Sequence, residues 1–496
     1  MKLKLSFLAI VLVVITRQTT FAQDLIRSEV IKSDGHTTKI CSEQSKSFYA
    51  YYGGDKSPKL KRYEGFTPIS QGELVLKTES GKGSFNSMIM VGDRMVLFFS
   101  VEEFGLKKLY SQNYSENCTP EGTLLLIAEY KILKGGKSAV DFKVIQSEDK
   151  AFFGVQYPIP GAETVAFGYK TYDAEFNVIS DGKREFPYAW EAAEMTNHYL
   201  SNTGDLFLGM KIYNTNDKGK VVDRISLKKY LVFCIKDSEI IEMNLDLGYK
   251  FITNMVFTSD EHHILTCSGL YGKEKIEMQG LFYLQVDFND QEIINQTLSN
   301  FTVEMGSLLI GKYDFHEIHT TADGSLIVIM EYYSSSTSMT EVGNGSTVGS
   351  RDYDHGDVII YRMKGNGEFE WMKKIEKYQS SINFNSYGSI GGYFKDNEFI
   401  MFFNDNIDNY TKTGEFSLGE DGLDYLYFAK KTICLAKVEI DLENGEYTRT
   451  RYLPTEETGL FSVPQQFKAD YINNELLMYF HIDGAGQKEN FGVLKF

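Results

Sequence analysis

Apolar residues along this chain come in short dense runs, each entered through a polar turn. In Thr320–Tyr333, TTADGSLIVIMEYY, the pair Asp323-Gly324 has the composition of a two-residue type I′ turn, because glycine accepts φ > 0 and aspartate tolerates it. Leu326–Met330 follows as an unbroken β-branched and apolar run, the pattern of a strand covered on both faces. The shape recurs. Gly92-Asp93 precedes Met95–Phe99, Glu148-Asp149 precedes Ala151–Val155, and Gly204-Asp205 precedes Leu206–Met210. Asp260-Glu261 precedes Ile264–Cys267, Asp396-Asn397 precedes Phe399–Phe403, and Asn473-Asn474 precedes Leu476–Phe480. A weaker copy places Ser42–Lys46 before Phe48–Tyr52.

After each run come a further strand, a polar turn and another strand, as in Val358–Met363, Lys364-Gly365-Asn366-Gly367 and Glu368–Ile375. Four antiparallel strands repeated in series predict a β-propeller, an all-β ring of blades that forms one domain whatever its length. Eight signature turns predict eight blades; seven, with a partial N-terminal blade, is the alternative. The first unit would be Asp24–Ile31, Thr37–Ser42, Ser47–Tyr52 and Lys59–Tyr63, and Phe491–Phe496 would be the last fourth strand. The spacing between turns grows from about 48 to about 77 residues along the chain, a period suited to four-stranded blades. Most of the growth falls in one kind of connection: Ser334–Gly356, rich in Ser, Thr and Gly, Asn404–Lys430, and a smaller Asn214–Arg224. In up-and-down sheets these emerge on one face, which the pattern marks as the face of function.

The first residues change the picture of where the chain works. Lys2 and Lys4 precede an apolar Leu5–Ile15 and a cleavage-like Phe21-Ala22-Gln23, so 1–23 reads as a secretory signal peptide and 24–496 as one exported propeller. No later stretch approaches ~20 apolar residues, so no transmembrane segment is expected after cleavage. Loss of 1–23 moves the formal charge from -17 to about -20, which repels phosphate backbones and argues against nucleic acid. Five cysteines, Cys41, Cys118, Cys234, Cys267 and Cys434, show no C-x-x-C spacing and read mainly as small buried hydrophobes, with one disulfide left open.

By the sixth and seventh units a likeness is visible. GDVIIYRMKGNGEFEWMKKIEKYQSS, with FFNDNIDN at 402–409 further on, resembles a group of exported β-propeller-like proteins of Bacteroidota. The turn with Trp371 is similar to PQQ-type and WD40-like propeller repeats. The resemblance implies a blade architecture and no assigned activity, so it supplies no catalytic residues. PQQ itself is not expected, because true PQQ dehydrogenases lead one to expect an adjacent cysteine pair, and none is present here.

Candidate chemistry is sparse. Asn404, Asn406 and Asp408, with Glu415 eleven residues after Asn404, echo a calcium loop, although Asn409 stands where the sharp-turn glycine belongs. Apart from calcium, no cofactor is expected. Arg351–Asp357 gathers three carboxylates and His355. His316 and His319 look like a metal pair, but residues three apart on a strand point to opposite faces. No nucleophile elbow, Walker loop or H-E-x-x-H occurs. The sequence therefore predicts a monomeric, exported binding or scaffold propeller that engages a protein or glycan of the cell envelope. The periplasm is favoured, because the last residues read as blade strands and not as a sorting domain. Tyr332, Tyr333, Tyr353 and Tyr410, near the long loops, would supply exposed stacking surfaces. The rival reading is a glycan-active hydrolase or lyase with carboxylates in the axial channel.

Overall fold

The computed structural model describes residues 25–496 except 34–35, 54–57, 80, 133–140, 161–163, 218–219, 225–226, 249, 275–276, 303–311, 343–345, 384, 421, 429–431, 455–459 and 483–486. The signal-peptide reading of 1–23 lies outside the described residues. The chain forms eight antiparallel blades, six of them plain four-stranded sheets and two enlarged. Their innermost strands are, in order, His36–Gln44, Gly83–Val91, Lys143–Gln146, Ala193–Leu200, Phe251–Ser259, Tyr313–Thr320, Gly391–Lys395 and Lys468–Asp470.

The dense apolar runs are the second strands, and strand alternation explains their composition. In blade 6, Ile327 and Ile329 pack toward blade 7, whereas Leu326, Val328 and Met330 pack toward blade 5. One strand thus feeds two interfaces, and no face is left for polar residues. Each neighbouring pair of blades shares one apolar cluster. The cluster of Phe48, Tyr52 and Tyr63 with Tyr479, Phe491 and Val493 joins blade 8 to blade 1 and closes the ring.

The count of eight agrees with the sequence pattern, but its phase is shifted by one strand. Leu25–Arg27 does not open blade 1; it pairs with Lys488–Lys495, Leu25 opposite Leu494, and supplies the outer edge of blade 8. Each signature turn therefore joins the first and second strands of a blade. The turn at Asp323-Gly324 is also not type I′. Gly324 has φ of 79° but Asp323 is not left-handed, Gly324 N–H donates to Thr321 O at 2.9 Å, and Thr321 N–H donates to Ser325 O at 2.9 Å. This is a three-residue connection with glycine at its left-handed position. Asp323 fits it because its carboxylate accepts from Thr321 Oγ1 and Ser325 N–H.

The stretch Ser334–Gly356 is not an irregular loop. Leu326–Val342 and Ser346–Met363 continue as one long hairpin beyond the blade, paired from Tyr333 with His355 out to Val342 with Ser346. Gln379–Ile382 pairs with its base, and Leu426–Tyr427, from the long blade 7 connection, adds to Gln379 in parallel. The two long insertions are stitched into one sheet on the same face.

A register shift recurs on the inner strands. In blades 1, 2, 4, 5 and 6 the pairing skips Thr38, Asn86, Thr196, Thr253 and His316 respectively. A bulge of this kind re-aims side chains that would otherwise alternate. All five cysteines are free and buried.

The blade 7 connection is anchored by a buried ion pair. Arg449 meets Asp405, Tyr410 Oη donates to the same carboxylate at 2.5 Å, and the guanidinium lies 3.8 Å from the Phe416 ring centroid. Arg449→Ala should destabilise the protein by about 3–5 kcal/mol, since it strands a buried carboxylate; denaturant unfolding measures it.

Candidate functional site

Glu331 ends the apolar run LIVIM of blade 6 and is as buried as its neighbours, at 1% exposure. A carboxylate there must be fully partnered, and its partners come from three segments. Oε2 accepts from His316 Nε2 at 2.7 Å, His355 Nδ1 at 3.1 Å and Ser389 Oγ at 2.7 Å. Oε1 lies 2.5 Å from the ammonium of Lys377, which is fully buried. Burial opposes the charge, but Lys377 and the two imidazoles outweigh it and hold Glu331 well below the usual carboxylate range.

A second layer fixes this group. Asn385 Oδ1 lies 2.7 Å from His355 Nε2, and Gln379 Oε1 accepts from Lys377 Nζ at 3.0 Å and from Ser389 N–H at 2.8 Å. Ser389 holds φ of 74°, a left-handed conformation costly for a residue with a side chain, and its hydroxyl reaches Glu331 from there. Gly388 has no room for a methyl group, since a Cβ would come within 2.4 Å of the His355 ring.

Two cavities flank this wall. One of about 590 Å³ is bordered by His316, Glu317, Tyr333, His355, Gln465 and Tyr471, among others. The other, about 490 Å³, lies on the far side of the hairpin and is bordered by Tyr313, Tyr332, Lys374, Glu376, Tyr378 and Tyr425. Tyr333 borders the first cavity and Tyr332 the second, at a register shift where the hairpin pairing skips Tyr332. His316 and Glu317 both border the first cavity because the bulge at His316 breaks the alternation. Enclosure by the cavity walls, then the charge of Glu148 from blade 3, pushes the Glu317 carboxyl up to about 7, with His316 acting the other way.

No family model matches this chain, and no curated protein does. Among solved structures it is similar to the polysaccharide lyase Uly1, at 10% identity and a TM-score of 0.40, over 95% of this chain and 99% of that one. It is also similar to prolyl oligopeptidase B from Galerina marginata, at 11% identity and a TM-score of 0.38, over 95% of this chain and 55% of that one. The apocarotenoid oxygenase of Synechocystis matches at 7% identity and a TM-score of 0.35, over 86% and 93%. These likenesses carry nothing about activity.

Of the sequence-predicted residues, Tyr332 and Tyr333 border these cavities and the others are scattered. Tyr353 lies under the Arg351 guanidinium, 5.3 Å from its ring centroid. Tyr410 is not an exposed platform: it is 8% exposed and committed to Asp405. Of the calcium-loop residues, Asn404 is buried, with its amide donating to Tyr387 O and Ser462 O. Asn406 caps the short 3-10 turn at Asp408 N–H, while Asp408 and Glu415 are exposed. Among the described residues no group of three or more His, Cys, Asp or Glu is gathered as a metal site requires. His319 stacks on Phe394 at 4.0 Å, away from the carboxylate that His316 meets. The sequence reading missed Glu331, Lys377 and Ser389. The available signal was a charged residue continuing an apolar strand without a turn.

Two outcomes follow. Unfolded Glu331 takes up a proton near its ordinary 4.5 whereas the folded carboxylate resists, so wild-type stability falls as pH drops below about 4.5. Glu331→Gln removes that part of the slope, measured by urea unfolding across pH. Glu148→Gln lowers the Glu317 pKa from about 7, read by carbon NMR of the carboxyl.

Proposed function

We propose that this is an exported propeller that binds a glycan along the blade 6 hairpin, with both flanking cavities as subsites. The observation that carries the reading is the placement of Tyr332 and Tyr333, one ring in each of two adjoining cavities on the face with the long insertions. Both volumes fall in the range of small-ligand sites, and aromatic faces with a few polar groups suit the apolar faces and hydroxyls of sugars. In the second cavity the rings of Tyr378 and Tyr425 lie 4.5 Å apart, and Tyr425 is half exposed. Export rests on the leader-like 1–23, and the narrower likeness to Bacteroidota propellers, drawn on 356–409, belongs to the same reading.

A second reading, a glycan-active hydrolase or lyase, is favoured by Glu317, a carboxyl that borders the first cavity and is raised further by the charge of Glu148. No helix among the described residues is long and apolar enough to cross a membrane.

The test is a thermal-shift scan of the mature protein against an oligosaccharide panel. A ligand of the folded state at a hundredfold excess over Kd adds about 2.7 kcal/mol. Tyr332→Ala and Tyr333→Ala should each weaken binding about tenfold, as loss of a central aromatic contact does. A flat response to every glycan overturns the proposal.

A further inference from the structure

In blades 4 and 5 the residue after the inner-strand bulge is asparagine, and it ties the strand to the next blade. Asn197 Nδ2 donates to Met255 O at 2.6 Å, and Asn254 Nδ2 donates to Tyr313 O at 3.2 Å. In blade 6 the same position is Glu317, which has no N–H to give when ionised. Its carboxyl makes no hydrogen bond among the described residues and borders the first cavity instead. Where blades 4 and 5 have a structural tie, blade 6 has an open carboxyl beside a cavity.

His316, the skipped residue of the same bulge, has one nitrogen committed. Glu331 only accepts, so Nε2 carries the proton of that contact, and in the neutral ring Nδ1 is the nitrogen left to act as an acceptor. The imidazole is 30% exposed while its carboxylate is 1% exposed, an arrangement in which a buried anion orients a base at a cavity wall. The described lining of this cavity includes Asp314, Glu317 and Glu331 but no lysine or arginine. Anionic sugars find no counter-charge there.

We infer that His316 and Glu317 form a base–acid pair that hydrolyses a neutral glycan, an inference that rests on the cavity taking a glycan at all. A water proton passes to His316 Nδ1, and the water oxygen bonds to the anomeric carbon. The bond from that carbon to the leaving oxygen breaks, and this oxygen takes the proton of Glu317. Return of one proton from His316 to Glu317 through solvent resets the pair, so the reaction consumes only water. A carboxyl raised to about 7 still holds a share of its protons near neutrality, which suits the acid role. Glu331 is a positioning residue.

The experiment measures binding by calorimetry and new reducing ends on one panel of neutral, uronate-bearing and sulfated oligosaccharides. Neutral members should bind and be cleaved. Glu317→Gln should lower kcat by about a hundredfold or more with Kd little changed. His316→Asn, which keeps a donor toward Glu331, should do the same should the first variant fold poorly. Glu331→Gln should shift the acidic side of the pH profile of kcat/KM, where the base His316 is lost to protonation, which a purely structural role would leave in place. Binding of a neutral glycan without cleavage overturns the catalytic pair and leaves the binding reading standing. Binding of anionic glycans alone overturns the neutral class, and binding of none overturns both readings.

Discussion

No blade of this protein can bury its own apolar surface. Each second strand divides its side chains between two neighbours, so every apolar cluster belongs to a pair of blades and the ring is stable only when closed. Closure falls to the two ends of the chain, Leu25–Arg27 lying along Lys488–Lys495. The aromatic cluster of Phe48, Tyr63 and Phe491 sits on that seam, with ring centroids 4.8 to 4.9 Å apart. Everything at the axis inherits its position from this constraint.

The site shows how such a frame is put to use. Blade 6 carries a carboxylate where the alternation calls for another apolar residue, and the cost of burying it is met by Lys377, two imidazoles and a serine in a left-handed conformation. Their convergence orders the start of blade 7 against blade 6, because Ser389, Asn385 and Gln379 all lie on the connection between them. Folding energy and site geometry thus depend on the same bonds.

Much of the fold was legible because turn chemistry and period-two patterning are local. The eight turns and the dense second strands came from residues within a few positions of each other. The strand phase was not legible, because nothing in Leu25–Arg27 distinguishes a first strand from a closing one until its partner at Leu494 is known. The long hairpin was hidden by its Ser-, Thr- and Gly-rich composition, which hydrogen bonding across the pair overrides. His316 and the Arg351–Asp357 cluster were both noticed in the sequence, yet their meeting point, Glu331, is set by a bulge and by strand pairing. Tyr410 misled because a tyrosine beside a polar loop looks the same whether its hydroxyl meets water or a buried aspartate.

The recurring bulge has a bearing on how such a site arises. Blades 1, 2, 4, 5 and 6 all carry an out-of-register residue on the inner strand, and four of the five leave it as threonine or asparagine. The inner strands therefore offer a set of bulged positions, each already shaped by the backbone. Equipping one of them takes a change of side chain and no change of fold. A lineage, or a designer, can move or duplicate the reactive position around the axis by exchanging residues at Thr196 or Thr253 together with the asparagine that follows.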